Sequence, residues 1–286
     1  MPLPLNLVYL KYFCDAAKSG SISQSAKQNF VTQSAISQGI HKLEEALGKE
    51  LITHQQNKFK ITPEGETVLE KSRDIFQGVL ELEGALTSKK GEVSGRIEFA
   101  CMHSFALALL PEQLKKLRAL YPKLQVNFRL GHTDMIRELI RKRIIDFGIV
   151  LDNEDLSGFQ CHEIYRGEYR LYIAKKEQHA EKLAFITSEE LMETNLLRKA
   201  YLKKYRRELD VLMQVSSWEV IAKLTEQGLG IGFFPDYVAL QKRELRVYDE
   251  LKLPSIQYKV YAIFPQSVKL HKNHELFLQI FSKKIK

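Results

Sequence analysis

The sequence predicts an N-terminal α-helical winged helix-turn-helix with a long linker helix, followed by a C-terminal α/β region of two lobes. Three observations predict it. Residues 21–47, SISQSAKQNFVTQSAISQGIHKLEEAL, read as two short helices joined by a tight turn, the second with a polar outer face. Thr62-Pro63-Glu64 opens a long stretch in which Val68, Ile75 and Leu82 recur every seven residues. Beyond about residue 90, short strand-like apolar runs alternate with helical ones.

Each element has a local reason. Leu10, Phe13, Cys14 and Ala17 give the apolar face of a first helix, closed by Gly20. Ser21 with Gln24 three residues later fits a capping box, in which each side chain satisfies a free N–H of the first turn. Ile22, Ala26 and Phe30 supply the short apolar face of the second helix. Asn29, tolerant of left-handed angles, suits the turn. Thr32 is a good N-cap for the third helix. There Ile36, Ile40, Leu43 and Leu47 form one buried stripe, and Gly48 ends it. Ser34, Ser37, Gln38, His41 and Glu45 then project to the opposite side. This is the layout of a helix-turn-helix whose second helix lies in a DNA major groove.

Residues 50–61, ELITHQQNKFKI, read as a two-stranded wing with its tip near Gln55 to Lys58. After it, Thr62 caps, Pro63 takes the first helical position and Glu64 sits near the positive helix end. Val68, Ile75 and Leu82, with Val79 and Leu86 at the offset of four and Ser72 in the remaining place, make a seam suited to a partner helix. In the C-terminal region, strands are expected at 96–101, 124–130 and 146–151. A helix at 105–120, interrupted near its start by Pro111, and another at 133–143 lie between them. A second unit at about 164–258 has strands at 169–174 and 230–234 and a helix at 218–227. The last segment reads as a strand at 258–264 and a helix to Phe281. Such alternation implies parallel strands with helices on their faces.

Composition bounds the possibilities. A chain of 286 residues suggests about two domains. No apolar run approaches the roughly 20 residues that span a membrane. MPLPLNLVYLKYF lacks a charged start and a small-residue cleavage site, so no signal peptide is expected. Cys14, Cys101 and Cys161 are few and scattered, which points to a reducing cytoplasm without a disulfide framework. The net charge of +8 is misleading as a sign of DNA binding, because residues 1–90 hold 11 Lys+Arg against 10 Asp+Glu. Residues 18–60 alone are +3. Phosphate affinity follows local charge, so one such domain binds weakly and affinity depends on linking several.

The chain resembles the LysR-type transcriptional regulators. SISQSAKQNFVTQSAISQGIHKLEEALGKEL and KITPEGE are similar to that family's winged-helix domain and linker helix. GRIEFACMHSFALALLPEQLKKLRALYPKLQV, RKRIIDFGIVL and VIAKLTEQGLGIGFFPDYVA are similar to successive pieces of its effector domain. The resemblance runs over nearly the whole chain and implies three segments. These are a DNA-binding domain at 1–61, a dimerisation helix at 62–90 bearing Val68, Ile75, Val79, Leu82 and Leu86, and an effector-binding domain at 91–286. The last resembles a periplasmic-binding-protein core, with lobe 1 at about 91–163 and 259–286 and lobe 2 at about 164–258. The partners implied are double-stranded promoter DNA, a small-molecule effector, RNA polymerase and further copies of the chain as a dimer or tetramer.

Site residues follow from chemistry and resemblance together. Gln33 and Gln38 can offer a paired donor and acceptor to adenine. Thr32, Ser34, Ser37 and His41 can reach base edges or phosphates. Lys42, Lys58 and Lys60 suit phosphate, which positions without reading sequence. His54 joins them on the wing. The family often has Arg where this chain has Gln38 and His54. An ordinary solvated helix face explains the same polar residues without DNA. In the C-terminal region, ligands are expected at strand ends beside helix N-termini. Ser104, Thr133 and Ser217 are the first candidates, with His103, His132, Met102 and Ser216 beside them. Plain N-caps explain many such hydroxyls equally well.

Other features carry less. Cys101, His103 and His132 invite a metal site, but no compact ligand pair supports one. No cofactor is expected. Gly228, Gly230 and Gly232 lack a full dinucleotide fingerprint and read as backbone turns. The basic run at 198–207 reads as a solvated face, and Trp218 as structural. No nucleophile elbow, phosphate-cradling lysine motif or zinc-protease helix nominates an enzyme. Two other readings stay open: an architectural DNA-binding protein without effector response, and an α/β solute-binding protein or enzyme.

Overall fold

Asn6 opens the first helix: its Oδ1 accepts from the N–H groups of Val8 and Tyr9 at 2.8 and 3.4 Å, and α1 (Leu7–Ser19) follows. The structure, a computed structural model, describes residues 5–55, 58–87, 93–152, 155–189, 191–266 and 270–282. The expected wing tip at 56–57, the side chains of His54, Lys58 and Leu86, and the expected boundary at residue 90 lie outside the described residues. The chain divides into two compact units. One is Met1–Gly95 with Lys142–Ile144; the other is Arg96–Arg141 with Ile145–Lys286.

In the first unit, α2 (Ile22–Asn29) is capped by Ser21, whose hydroxyl accepts from Gln24 N–H at 3.3 Å. The other half of the expected capping box does not form, because Ser21 N–H already donates to Ala16 O at the end of α1, at 3.2 Å. α3 (Gln33–Leu47) is capped by Thr32 and stopped by Gly48. Leu10, Phe13, Ala26, Ile36, Ile40 and Leu43 form the buried core under these helices. Each large apolar side chain there contributes about 1.5–3 kcal/mol through its removal from water. Gly39 lets α3 approach α1, since a Cβ would meet the Tyr12 and Tyr9 rings at 2.8 and 2.9 Å.

The turn between α2 and α3 differs from expectation. Asn29 was expected in the left-handed position and Phe30 on the apolar face. Instead Asn29 ends α2, its amide donating to Asp15 Oδ2 at 2.8 Å and Ser25 O at 2.9 Å while Lys11 donates to its Oδ1. That network holds Asn29 in helical geometry, so the reversal falls on the next residue. Phe30 adopts φ 56° and ψ 39° and is 95% exposed. A side chain there costs roughly 1–2 kcal/mol relative to a right-handed residue.

The wing is β1 (Ile52–Gln55) paired antiparallel with β2 (Lys58–Ile61), Ile52 opposite Ile61. Glu44 Oε1 on α3 accepts from Leu51 and Ile52 N–H at 2.8 and 3.2 Å, which fixes the root of the wing to the helix. Thr62 Oγ1 then accepts from Gly65 N–H at 2.9 Å and α4 (Pro63–Thr87) begins. Val68 and Phe76 pack against the helical core, and Ser72 is 2% exposed with its hydroxyl donating to Val68 O. Ile75 and Leu82 are 38% and 62% exposed.

The second unit follows the order β3 (Ser94–Cys101), α5 (His103–Ala108), α6 (Leu110–Leu120), β4 (Lys123–Leu130), α7 (Thr133–Arg141), β5 (Phe147–Leu151) and β6 (Phe159–Ala174). A second run adds β7 (Phe185–Thr187), α8 (Met192–Tyr205), β8 (Val211–Gln214), α9 (Trp218–Glu226), β9 (Ile231–Pro235) and α10 (Asp236–Ala239). The chain closes with β10 (Leu245–Val247), β11 (Ile256–Pro265) and α11 (Lys272–Ser282). Pro111 does not interrupt a helix. The break lies at Leu109, between α5 and α6, and Pro111 sits in the first turn of α6, where a missing N–H is harmless.

The strands are not all parallel. Nine described strands form one sheet in the order β4-β3-β5-β11-β6-β9-β7-β8, with β10 on β6. β3 with β5 and β7 with β8 and β9 are parallel; β11 is antiparallel to β5 and β6, and β6 to β9 and β10. β6, 16 residues long, starts ten residues before the expected strand at Tyr169. It and β11 run through the expected lobe boundaries at 163/164 and 258/259. Its first half, FQCHEIYRGE, is half-exposed and polar, so hydropathy does not announce it.

Asp236, at the start of α10, holds this crossing pair together. Its Oδ1 accepts from the hydroxyls of Tyr258 on β11 and Tyr165 on β6, and its Oδ2 from Glu168 N–H at 3.2 Å. Gly167 leaves room for both, since a Cβ there would strike Asp236 Oδ1 and the Tyr258 hydroxyl. The Gly-rich stretch was expected to be turns throughout. Only Gly228, at φ 79°, is a left-handed turn. Gly232 lies within β9, where a Cβ would strike Thr225 Oγ1 of α9.

Gly148 tests this packing. A Cβ added in the middle of β5 would meet Ile136 Cγ2 and, at 3.1 Å, Ile140 Cδ1 of α7. Gly148→Ala is expected to cost about 1–3 kcal/mol by overpacking, read as a lower urea midpoint with unchanged slope. An unaltered midpoint would mean that α7 is not seated on β5 as described.

Candidate functional site

The first candidate surface is the outer face of α3. Thr32, Gln33, Ser34, Ser37, Gln38, His41 and Lys42 are all exposed there, and Lys60 is exposed on β2. The buried stripe of Ile36, Ile40 and Leu43 dictates this, because the remaining positions turn outward at about 100° per residue. Some of these groups have local partners. Thr32 Oγ1 accepts from Ala35 N–H at 3.2 Å, Gln38 Nε2 donates to Ser34 Oγ at 3.4 Å, and His41 lies 3.5 Å from Glu45. Lys42 Nζ stands over the Tyr9 ring at 5.8 Å. Gln33, at the first position of α3, presents a carboxamide beside the helix N-terminus. The side chains of His54 and Lys58 lie outside the described residues.

The second candidate is a cavity of about 490 Å³ in the α/β unit. That volume falls within the range of small-molecule sites. The carboxyl ends of β3, β4 and β8 supply its wall: Met102, His103 and Ser104 after β3, His132 and Thr133 after β4, Ser216 and Ser217 after β8. All seven residues expected from the sequence therefore line one space. Gly131 N–H donates to Cys101 O at 3.1 Å, which brings the first two loops side by side. Leu130, Ser188, Leu191 and Trp218 complete the lining and were not expected. Ser188 follows a three-residue strand, too short to show alternation, and Trp218, the one tryptophan of the chain, was read as structural.

Hydrogen bonds decide which groups are free to meet a ligand. Ser104 Oγ is 2.8 Å from the Tyr237 hydroxyl, a buried pair. Ser217 Oγ caps α9 by accepting from Val220 N–H at 3.4 Å. His132 Nδ1 accepts from Met135 N–H at 3.4 Å, so Nε2 is the ring nitrogen left for a ligand. Ser188 leads inward: its Oγ donates to Glu193 Oε1 at 3.2 Å and pairs with Thr194 Oγ1 at 2.6 Å. Glu193 is 1% exposed, and burial pushes its carboxyl above the ordinary value of 4.5. Its Oε2, Thr187 Oγ1 and Tyr169 OH have no hydrogen-bond partner among the described residues. The Tyr169 ring meets Trp218 edge-on at 5.9 Å, so this polar interior abuts the cavity wall.

Cys101, beside the cavity, is fully buried and its thiol is pushed up to about 12, opposite to what a thiolate metal ligand needs. The basic run on α8 is partly structural. Tyr201 is buried against Phe185, Tyr205 donates to Leu251 O at 3.0 Å, and Lys204 donates to Lys252 O at 2.8 Å. Among the described residues no helix is long and apolar enough to cross a membrane.

A helix-turn-helix unit joined to an α/β ligand-cleft unit defines a class: transcription factors that carry DNA recognition and effector binding in one chain. The comparisons give the family. The model for the LysR substrate binding domain matches residues 90–286, and that for the bacterial regulatory helix-turn-helix protein, lysR family, matches residues 7–66. The chain belongs to the LysR family of transcriptional regulators, with a DNA-binding and an effector-binding domain. It is 25% identical over 279 residues to the HTH-type transcriptional activator CmpR of Synechocystis sp., covering 93% of this chain and 91% of that one. To the regulator EstR of Acinetobacter baylyi it is 21% identical over 261 residues, 88% and 86% of the two chains. In fold it is similar to a full-length OxyR variant from Pseudomonas aeruginosa, with TM-score 0.67, 15% identity and coverage of 97% and 98%. DarR of Vibrio fischeri, solved in complex with DNA, gives TM-score 0.53, 21% identity and coverage of 98% and 99%. These relatives are regulators rather than enzymes.

Two measurements probe the two sites. Gln33→Ala is expected to weaken binding to a selected operator by about 1–3 kcal/mol, the worth of one bidentate base contact, and to leave unrelated DNA nearly unaffected. Equal loss on both would assign Gln33 to the backbone. For Glu193 the sign follows from its raised carboxyl: the folded state holds the proton more tightly than the unfolded chain. Its contribution to stability is therefore greatest at low pH and is lost as pH rises from 4.5 through the raised folded value. Glu193→Gln should be the more stable protein at pH 7, and the advantage should vanish below about pH 4.5, in urea unfolding at stepped pH. A difference independent of pH would contradict this.

Proposed function

We propose that the chain is a cytoplasmic, sequence-specific regulator whose promoter binding responds to a small molecule held in the 490 Å³ cavity. The observation that carries this reading is the convergence of three strand-end loops, each bearing hydroxyl or imidazole groups, on one cavity in a chain that also presents a polar recognition helix. In this reading 1–61 reads DNA, 62–90 pairs chains and 91–286 binds the effector. Gln33, Ser34, Ser37 and Gln38 face bases, with Thr32 and His41 beside them; Lys42, Lys58 and Lys60, with His54, face phosphate. The effector meets His103, His132, Thr133 and Ser216 first, since the hydroxyls of Ser104 and Ser217 already have partners. Met102, Leu130, Leu191 and Trp218 line the same cavity, which suits a ligand with an apolar body and a hydrogen-bonding end.

Exposed Ile75 and Leu82, in register with Val68, Val79 and Leu86, support pairing of two α4 helices. The +3 surplus of residues 18–60 makes such pairing necessary for useful affinity. Effector domains associate further to a tetramer, and the assembly meets RNA polymerase at the promoter. The effector shifts the spacing of the DNA contacts only by its differential affinity for the two arrangements.

Selection of genomic fragments by the purified protein at near-physiological salt tests the DNA half. Enrichment of an inverted repeat with half-sites one or two helical turns apart is expected. Binding that falls evenly on all DNA as salt rises would favour the architectural reading. Metabolites of the enzymes encoded beside the recovered sites can then be titrated against Trp218 emission, which reports from the cavity alone because the chain has one tryptophan. A saturable change that also alters operator affinity is expected. A change in emission without any change in DNA binding would remove the regulatory link.

A further inference from the structure

The first three helices of the N-terminal unit stop by the same device. α1 and α3 end at left-handed glycines, Gly20 at φ 66° and Gly48 at φ 64°. α2 ends in the same way at Phe30, φ 56°, whose N–H reaches Ala26 O and Lys27 O, while Val31 N–H donates to Ala26 O at 3.1 Å. Glycine adopts this geometry freely and asparagine adopts it readily; for a bulky residue it is strained. The fold gains nothing from the ring, which is 95% exposed. The left-handed backbone and the exposed ring are both costs to this unit by itself, and a partner that covered the ring would offset them.

The place of Phe30 in the chain identifies the partner. It precedes the N-cap Thr32 by two residues, and Gln33 and Ser34, the first exposed residues of α3, follow directly. The N-terminal residues of a recognition helix are those that meet base edges. The apolar feature of the major groove is the thymine 5-methyl group, which phenylalanine can cover. We propose that Phe30 is a DNA-reading residue whose ring packs on a thymine methyl of the operator, held toward it by the left-handed turn. This rests on α3 being the helix that reads DNA.

The test uses full-length protein and the operator recovered by selection, made with thymine or with uracil at single positions. Phe30→Asn should raise the thermal midpoint by about 2 °C, because the strain is relieved. It should weaken operator binding about tenfold, the scale of one uncovered aromatic ring, with little change on unrelated DNA. A single thymine-to-uracil exchange in one half-site should weaken the unsubstituted protein about fourfold, the worth of one methyl, and leave Phe30→Asn unaffected. Three results would overturn the proposal: equal weakening on operator and unrelated DNA, no thymine whose effect disappears in the variant, or a lowered thermal midpoint. The unsubstituted protein separates the two levels. If it shows no preference for the operator, base reading by α3 fails. If it shows the preference and Phe30→Asn retains it in full, only the role of Phe30 fails.

Discussion

The α/β unit depends on the antiparallel pairing of β6 with β11. These two strands lie at the middle of the sheet, with β4, β3 and β5 on the β11 side and β9, β7 and β8 on the β6 side. Asp236 ties the pair at its crossing by accepting from Tyr165 and Tyr258 and from the backbone of β6. Charge-assisted hydrogen bonds of this kind are roughly twice as strong as neutral ones. The carboxyl ends of β3, β4 and β8 in the same sheet are walls of the cavity.

The cavity combines a finished structural lining with unfinished polar chemistry. Ser104 and Ser217 are committed to Tyr237 and to the cap of α9. His132 is oriented by Met135 N–H, so Nε2 is the ring nitrogen left for a ligand. Behind Ser188, a buried carboxyl oxygen, a threonine hydroxyl and a tyrosine hydroxyl have no hydrogen-bond partner among the described residues. Polar groups left unpaired in a protein interior are costly.

The helix-turn-helix unit is held by different means. Its core is small, so its geometry relies on caps and left-handed stops at each helix end: Asn6, Ser21 and Thr32 at the starts, Gly20, Phe30 and Gly48 at the ends. Glu44 adds the tie that roots the wing to α3. With its charge nearly balanced, this unit gains little from electrostatics alone.

The sequence by itself determined what local physics can set: the capped starts and glycine stops, the stripe of Ile36, Ile40 and Leu43, and the antiparallel wing. These follow from side-chain spacing and backbone preference over a few residues. Tertiary structure decided the rest. Asn29 was drawn into a side-chain network with Asp15 and Lys11, and Phe30 was left to make the turn. The polar first half of β6 became a strand because β11 pairs with it, and Gly232 was required because α9 presses Thr225 against β9. The direction of each strand, and which polar atoms at the cavity were left free, depended in the same way on residues up to 133 positions apart, as Ser104 and Tyr237 are. No short window of sequence holds such information.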